Sequence, residues 1–201
     1  MAATATPYGL RAVNLVGGLP FAGSTRQIKI ASGYGTNIFN GSIVSIVAAG
    51  TIEIVVTNGD NSTGFPAGTI GVFVGCRYTD PSTSQLTFNQ RWPTGTVASD
   101  AMAYIVDDPN AVFQAQADGA VTQEDLGQNT YLAAVQSTST GSTINGNSTS
   151  ALTATTAVTS GMAFRIVDFV DGPDSAIGDA YTDLLVKFNP DSHSYLNKTG
   201  I

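Results

Sequence analysis

The sequence predicts an all-β protein, with a β-barrel or β-sandwich core of about ten short strands. The chain has 22 glycines among 201 residues, and its Ser- and Thr-rich composition with little Glu, Lys or helical periodicity argues against helices. Apolar and polar residues alternate in several segments, which is typical of half-buried strands. Turn-forming pairs such as Asn40-Gly41, Asn58-Gly59 and Asp118-Gly119 separate those segments.

Four segments show the alternation most clearly, and in each the apolar side chains are expected to share one face of a strand. These faces consist of Ile70, Val72, Val74 and Cys76; of Ile52, Ile54 and Val56; of Met102, Tyr104 and Val106; and of Leu184, Val186 and Phe188. Cys76 is the only cysteine, and its place in an apolar run predicts a small buried hydrophobe. One short helix is predicted where Thr122 can cap the amide of Asp125 and Gly127 can end the turn.

Two segments lie outside the strand pattern. Residues 1–25 contain Pro7, Pro20 and several glycines, and they are predicted to form an extended N-terminal arm. Residues 26–201 are predicted to form a single β-rich domain. Within it, residues 136–160 are almost free of charge and rich in Ser and Thr, so they are expected to form a low-complexity loop or ribbon. That segment could be a long exposed loop, an edge ribbon or an ordered arm lying on a partner.

The charge distribution argues against two classes of partner. The formal net charge is −7, and the eight basic residues are scattered singly along the chain. Binding to nucleic acid or to an anionic membrane requires clustered positive charge, so neither partner is expected. No run approaches the ~20 apolar residues of a membrane span, and the N-terminus lacks the basic and apolar regions of a signal peptide. Synthesis in a cytoplasm is therefore expected.

Two acidic clusters are the first candidates for chemistry. Asp107 and Asp108 precede Pro109 in a turn signature, and Asp118 follows about one strand later, so these carboxylates are predicted to be turn residues that do not converge. The second cluster, at 168–179, lacks the spacing of an EF-hand, although a calcium ion bound in this loop is an open alternative.

The remaining candidates also favour structural roles. His193 is the only histidine and lies in a polar tail, where we expect it to be exposed by chance, since no second histidine or spare cysteine can join it around zinc and no G-x-S-x-G nucleophile elbow is present. Trp92 precedes a proline turn and is predicted to be a packing anchor in preference to a sugar platform. No catalytic, cofactor-binding or metal-binding residue is assigned, and an enzyme is not expected.

Several phrases of the sequence resemble a known class of protein. The opening "PYGLRAVNLVGGLPFAGSTRQIKIASGYGTNIFNGSIV" resembles that of small structural proteins of tailed bacteriophages, especially those of marine and cyanobacterial hosts. The resemblance continues in "GVFVGCRYTDPSTSQLTFNQRWP", "AYIVDDPNAVFQAQADG", "DLGQN" and "FRIVDFVDGPDSAIGDAYTDLLVKFN". It covers most of the chain and is weakest at residues 136–160.

This resemblance implies a capsid cement, or decoration, protein that binds outside the major capsid lattice and clamps neighbouring subunits. It implies the outer surface of the virion as the location, a bacterial host cytoplasm as the place of synthesis, and no catalytic residues. The expected partners are the major capsid protein and further copies of this chain, with a homotrimer preferred over a homodimer.

The predicted arm supplies the candidate docking residues. They are Tyr8, Leu10, Arg11, Phe21 and Arg26, which we expect at the interface with the capsid or with another subunit. Three alternatives stay open: a polysaccharide hydrolase with convergent carboxylates, a head fibre or host-glycan binding module that uses Trp92 and the tyrosines as platforms, and a head–tail or tail-tube subunit.

Overall fold

The computed structural model of the protein describes residues 4–60, 64–159 and 161–201. These residues form thirteen β-strands and two short 3₁₀ turns, at Gln123–Asp125 and Pro190–Ser192. The strands are β1 (Arg11–Leu15), β2 (Arg26–Lys29), β3 (Ile38–Phe39), β4 (Ile43–Ile46), β5 (Ile52–Ile54), β6 (Thr69–Thr79), β7 (Leu86–Asn89), β8 (Arg91–Trp92), β9 (Met102–Val106), β10 (Ala111–Gln116), β11 (Asn129–Thr130), β12 (Phe164–Phe169) and β13 (Asp183–Phe188). The predicted all-β class is confirmed. The strand number exceeds the prediction because β3, β8 and β11 have two residues each, too few to show alternation.

The strands form three antiparallel sheets. Sheet A has the order β1-β10-β13-β12-β11. Sheet B has the order β2-β9-β6-β4-β5, and β7 pairs with the second half of β6. The third sheet is the small pair of β3 and β8.

Two apolar cores separate these sheets into three layers. The first core joins the inner face of sheet A, including Phe113 and Val186, to Ile43 and Val72 of sheet B. The second core lies on the other face of sheet B, where Ile105 and other strand residues meet the β3–β8 pair. Sheet B is therefore buried on both faces over much of its area, which explains why its strands read as apolar runs.

The predicted face of β6 is wrong in part. Ile70 and Cys76 belong to the second core, whereas Val72 belongs to the first and Val74 packs against the first. The pairing of β6 shifts register opposite Val44 and Ser45 of β4, and it shifts again between Phe73 and Gly75 opposite β9. Each shift is a bulge that inserts one residue and exchanges the faces, so a strict alternation cannot hold over eleven residues. By contrast, the predicted face of Leu184, Val186 and Phe188 is confirmed, because all three are buried in the first core.

Gly71 is required at the first of these bulges. Its φ is +150°, and a Cβ atom placed there would lie 2.0 Å from the carbonyl oxygen of Val106 on β9. Only a residue without a side chain allows the two strands to approach this closely. The sequence pattern of apolar residues does not carry this information.

The N-terminal residues lie against the body for part of their length. Gly9 and Leu10 donate backbone hydrogen bonds to Ser150 and Gly41, and β1 pairs with β10 at the edge of sheet A. Residues 16–20 form a turn in which the amide of Leu15 donates to the carbonyl of Leu19 at 2.8 Å. Within this turn Gly17 and Gly18 have φ values of +97° and +79°, a conformation that favours glycine.

The Ser/Thr-rich segment also contacts the body. Gln136 is 1% exposed, and its side chain hydrogen bonds to the backbone of Ile43 and Val55. Further along, Leu152 is fully buried in the first core, and Asn147 forms a bridge with Asn40. The described part of this segment, 136–159, is therefore an irregular stretch held in place by buried anchors.

The helix predicted after Thr122 is a single 3₁₀ turn. The Asp125 carboxylate accepts hydrogen bonds from the amide and the hydroxyl of Thr122, at 2.8 and 2.9 Å. Thr122 and Asp125 thus form a capping box, in which the Asp125 carboxylate bonds back to Thr122, and Gly127 follows the turn with φ +83°.

Candidate functional site

Asp107, Asp108 and Asp118 each have a structural partner of their own. Asp108 accepts the amide of Asn110 at 2.8 Å, and Asp118 accepts the amide of Ala154 at 2.7 Å. Asp107 instead accepts the hydroxyl of Tyr195 at 2.7 Å. The carboxylates therefore stabilise turns and loop contacts, which confirms the turn prediction for Asp108 and identifies a different role for Asp107.

The acidic loop after β12 is similar. Asp168 accepts the amide of Phe169 at 2.9 Å, and Asp179 accepts the amide of Ala176 at 3.0 Å. Across 4–60, 64–159 and 161–201, no three His, Cys, Asp or Glu side chains are grouped closely enough to hold a metal ion. The described residues therefore contain no group of acidic side chains for a calcium ion in this loop.

His193 is buried, so the prediction of an exposed tail histidine is wrong. Its side chain is 1% exposed, and its ring centroid lies 5.6 Å from that of Phe188 and 5.3 Å from that of Tyr195. Nδ1 accepts the amide of Tyr195 at 3.3 Å, and Nε2 is buried with no hydrogen-bond partner among the described residues. Burial lowers the pKa of His193, against the opposing effect of Asp107. The ring anchors the C-terminal tail, because the 3₁₀ turn at Pro190–Ser192 directs it inward.

Trp92 and Cys76 are packing residues, as predicted. Trp92 is fully buried, its ring meets that of Tyr78 edge-on at 5.5 Å, and Nε1 donates to the carbonyl of Tyr34 at 3.2 Å. Cys76 is buried in the same core, and burial raises the pKa of its thiol to about 12. Neither side chain offers a surface for a sugar or a reactive thiolate.

The first three candidate docking residues lie in different environments. Leu10 is 1% exposed and belongs to the first core, so its side chain is not on the surface of the folded chain. Arg11 is exposed on β1, and its guanidinium carbon lies 4.3 Å from the ring centroid of Tyr8. Burial, with the nearby Asp183 carboxylate, raises the pKa of Tyr8 above its ordinary range. The Arg11 guanidinium is therefore exposed, and it packs on the ring of Tyr8.

The other two candidates are separated from this pair. Phe21 is half-buried against the first core. Arg26 is exposed on β2, the edge strand of sheet B, where it donates to Asp107 at 3.5 Å and to the hydroxyl of Tyr195. The five predicted residues therefore do not form one continuous surface patch.

Two exposed apolar surfaces were missed by the sequence reasoning. On the N-terminal hairpin, Val16 and Leu19 are 45% and 64% exposed at the 16–20 turn. On β7, Leu86 and Phe88 are 54% and 67% exposed. Val16 and Leu19 fall within the predicted arm, where the local signal was the Gly17-Gly18 pair, and Leu86 and Phe88 carry no signal that separates them from other strand residues. Large apolar side chains exposed beside free edges are typical of interaction surfaces.

Helical structure in the described ranges does not reach membrane-spanning length or hydrophobicity. Comparison with protein-family models, with curated proteins and with solved structures found no match to this chain.

Proposed function

We propose that this chain is a non-enzymatic capsid cement protein, which binds the outer surface of the major capsid lattice of a tailed bacteriophage and clamps neighbouring subunits. The proposal includes self-association and synthesis in the bacterial host cytoplasm. The ordered series of sequence phrases that resembles phage structural proteins carries this proposal.

The use of the polar side chains supports a binding role over a catalytic one. The carboxylates of Asp108, Asp118, Asp168 and Asp179 each accept a backbone amide: Asp108 and Asp179 in turns, Asp118 in a contact with the loop at Ala154, and Asp168 at the bulge of β12. A glycoside hydrolase would need two carboxylates facing one another across a substrate cleft. The glycan-binding alternative loses Trp92 from its aromatic platform, because that side chain is fully buried.

The 16–20 turn is the element that we assign to docking. It extends from the edge strand of sheet A, and Val16 and Leu19 expose their side chains there without a place in either core. Arg11 lies on the adjoining strand and adds a positive charge to a chain with net charge −7. Apolar burial then supplies adhesion, and the arginine supplies orientation toward an acidic or polar lattice surface.

Weak contacts of this size can hold a cement protein in place when several act together. Each further contact of a bound molecule is intramolecular and benefits from a high effective concentration. A stiff β-sandwich transmits load between its contacts because its interior is close-packed. Clamping by this mechanism requires no strong single site.

The experiment adds purified protein to expanded, undecorated capsids and measures occupancy and the temperature of capsid disruption. Binding with an increase in that temperature is expected. The double variant Val16→Ser/Leu19→Ser should bind at least about tenfold more weakly, because it removes most of the exposed apolar area of the turn.

A matched control is Val97→Ser/Val158→Ser, which alters two side chains that are 67% and 90% exposed elsewhere. This control should bind like the unmodified protein. No binding by the unmodified protein would contradict the cement function, and equal binding by the two double variants would contradict the assignment of the turn.

A further inference from the structure

Strand β7 is an edge of sheet B with no strand on its outer side among the described residues. It pairs only with β6, in the register Cys76↔Asn89 to Thr79↔Leu86. Open edges with exposed apolar residues are prone to pair with another strand. β7 has neither the proline nor the lysine that commonly protects such an edge.

The backbone of β7 directs two residues outward. The amide of Asp80 donates to the carbonyl of Gln85 at 2.9 Å, which makes these two a hydrogen-bonded pair at the start of the ladder. Hydrogen-bonded pairs alternate along an antiparallel ladder, so Thr87 and Asn89 also face β6. The N–H and C=O groups of Leu86 and Phe88 consequently point away from β6.

The side chains of the same two residues share one face. Leu86 and Phe88 lie opposite Thr79 and Arg77 of β6, while Thr87 lies opposite the buried Tyr78. The short sequence Leu86–Asn89 therefore presents two free backbone units and two exposed apolar side chains together.

We propose that β7 pairs with β7 of a second copy of this chain, antiparallel and about a twofold axis at Thr87. In this register Leu86 of each copy lies opposite Phe88 of the other. The four outward N–H groups of the two copies then donate to their four outward carbonyls in four hydrogen bonds, and two apolar cross-strand pairs form on one face. The registers that centre on Leu86 or on Phe88 leave one of these residues opposite a turn.

Charge complementarity favours a second copy as the occupant. A groove of about 300 Å³ flanks the end of β7, and Arg91 and Ile144 are among its lining residues. The Arg91 guanidinium donates to the amide oxygen of Asn37 at 3.3 Å, and no carboxylate of the described residues lies within ion-pair distance of it. Twofold pairing brings the 80–85 turn of one copy toward this groove of the other, and Asp80 is the one charged residue of that turn.

Asp80 retains its charge in this position. Its pKa is lowered chiefly by the backbone amide of Ser82, which donates to it at 2.7 Å. The contact is isologous and closes at two copies, so this interface yields a dimer and not the expected homotrimer. The inference concerns the free protein and does not depend on the proposed capsid function.

The first test is a cysteine cross-link. Thr87 would face Thr87 of the second copy in a non-hydrogen-bonded pair, where Cα atoms lie about 4.5 Å apart, within the range for a disulfide. Under mild oxidation, Thr87→Cys should form a covalent dimer. Val97→Cys, placed at an exposed site elsewhere, is the control and should not form a covalent dimer under the same conditions. Cys76 is buried and is common to both variants.

The second test measures mass by light scattering over a concentration series, because a short strand pair forms a small interface and a concentration-dependent dimer. Phe88→Lys places a charge opposite Leu86 and should weaken the dimer at least about tenfold. Val97→Lys changes a side chain of equal exposure and should have no effect. Leu86→Pro removes an outward N–H while leaving the bonds to β6 intact, and it should also weaken the dimer.

Thermal unfolding of each variant establishes that the fold is retained. A dimer that cross-links through position 87 and is weakened by both β7 variants supports the pairing. A monomer at all concentrations, a dimer that is insensitive to Phe88→Lys, or cross-linking of Thr87→Cys no greater than that of the control overturns it. Loss of capsid binding by Phe88→Lys in a strictly monomeric protein would likewise overturn it, in favour of a capsid strand at this edge.

Discussion

The hydroxyl of Tyr195 donates a 2.7 Å hydrogen bond to the carboxylate of Asp107. Arg26 donates to both groups, and it is 3.5 Å from the carboxylate. Arg26 begins β2, Asp107 directly follows β9, and Tyr195 lies in the C-terminal tail. This cluster therefore ties the tail to sheet B at a place where the sequence shows only three distant polar residues.

Tyr195→Phe should lower the free energy of unfolding by about 1 kcal/mol, because it removes the partly exposed hydrogen bonds that the hydroxyl forms with the Asp107 carboxylate and with Arg26. It should also speed proteolysis within the tail, which we would follow by mass spectrometry. Tyr131→Phe is a suitable control, since the Tyr131 hydroxyl has no hydrogen bond to the described residues. Equal stability and equal cleavage in the two variants would show that Tyr195 does not hold the tail.

His193 should make stability depend on pH. Burial lowers its pKa in the folded protein below the unfolded value of about 6.5, so the unfolded chain binds more protons between these two values. Stability is therefore fully present above the unfolded pKa, is lost as the pH falls through that region, and levels off below the folded pKa. The limiting slope is about 1.4 kcal/mol per pH unit for one proton.

His193→Gln keeps a neutral polar side chain and removes this titration. The two proteins would be compared by urea unfolding at a series of pH values. The variant should lose the decrease in stability that is attributed to the histidine. An identical pH profile in the two proteins would contradict the assignment.

Gln136→Leu should reduce stability by about 2 kcal/mol or more, because it leaves the buried N–H of Ile43 and the carbonyl of Val55 without a partner, while the carbonyl of Ile43 keeps its bond from the amide of Val55. The Gln136 amide accepts the N–H of Ile43 at 2.9 Å and donates to the carbonyls of Ile43 and Val55 at 3.1 and 3.0 Å. Urea unfolding measures the change. Gln123→Leu alters an exposed glutamine and should change stability by no more than about 0.5 kcal/mol; a similarly small change at Gln136 would exclude its anchoring role.

Features with a local physical cause could be predicted from the sequence. The buried face of Leu184, Val186 and Phe188 follows from period-two alternation, and the turn at Asp108 follows from the preference of aspartate for backbone amides. The burial of Cys76 follows from its place in an apolar run, and that of Trp92 follows from the packing role common for a large aromatic residue before a proline turn. The short helix expected after Thr122 is only a single 3₁₀ turn of three residues.

Features that depend on distant partners could not be predicted. His193 looked exposed in a polar tail, yet the amide of Ser194 donates to the carbonyl of Thr69 at 2.6 Å and the tail folds onto β6. Leu10 looked like part of a docking arm, yet it fills the first core. The separation of Arg11 from Arg26 also depends on which sheet each strand joins.

The sequence by itself determined the all-β class, the main strands and the separation of the acidic residues into turns, because alternation and turn chemistry act over a few neighbouring residues. Only the tertiary structure decided which face Ile70 and Val72 occupy, which polar residues become buried, and that β7 has an open edge. Bulges, sheet order and edge exposure depend on the pairing of segments far apart in the chain, and a single-residue change in register reverses the faces of a strand.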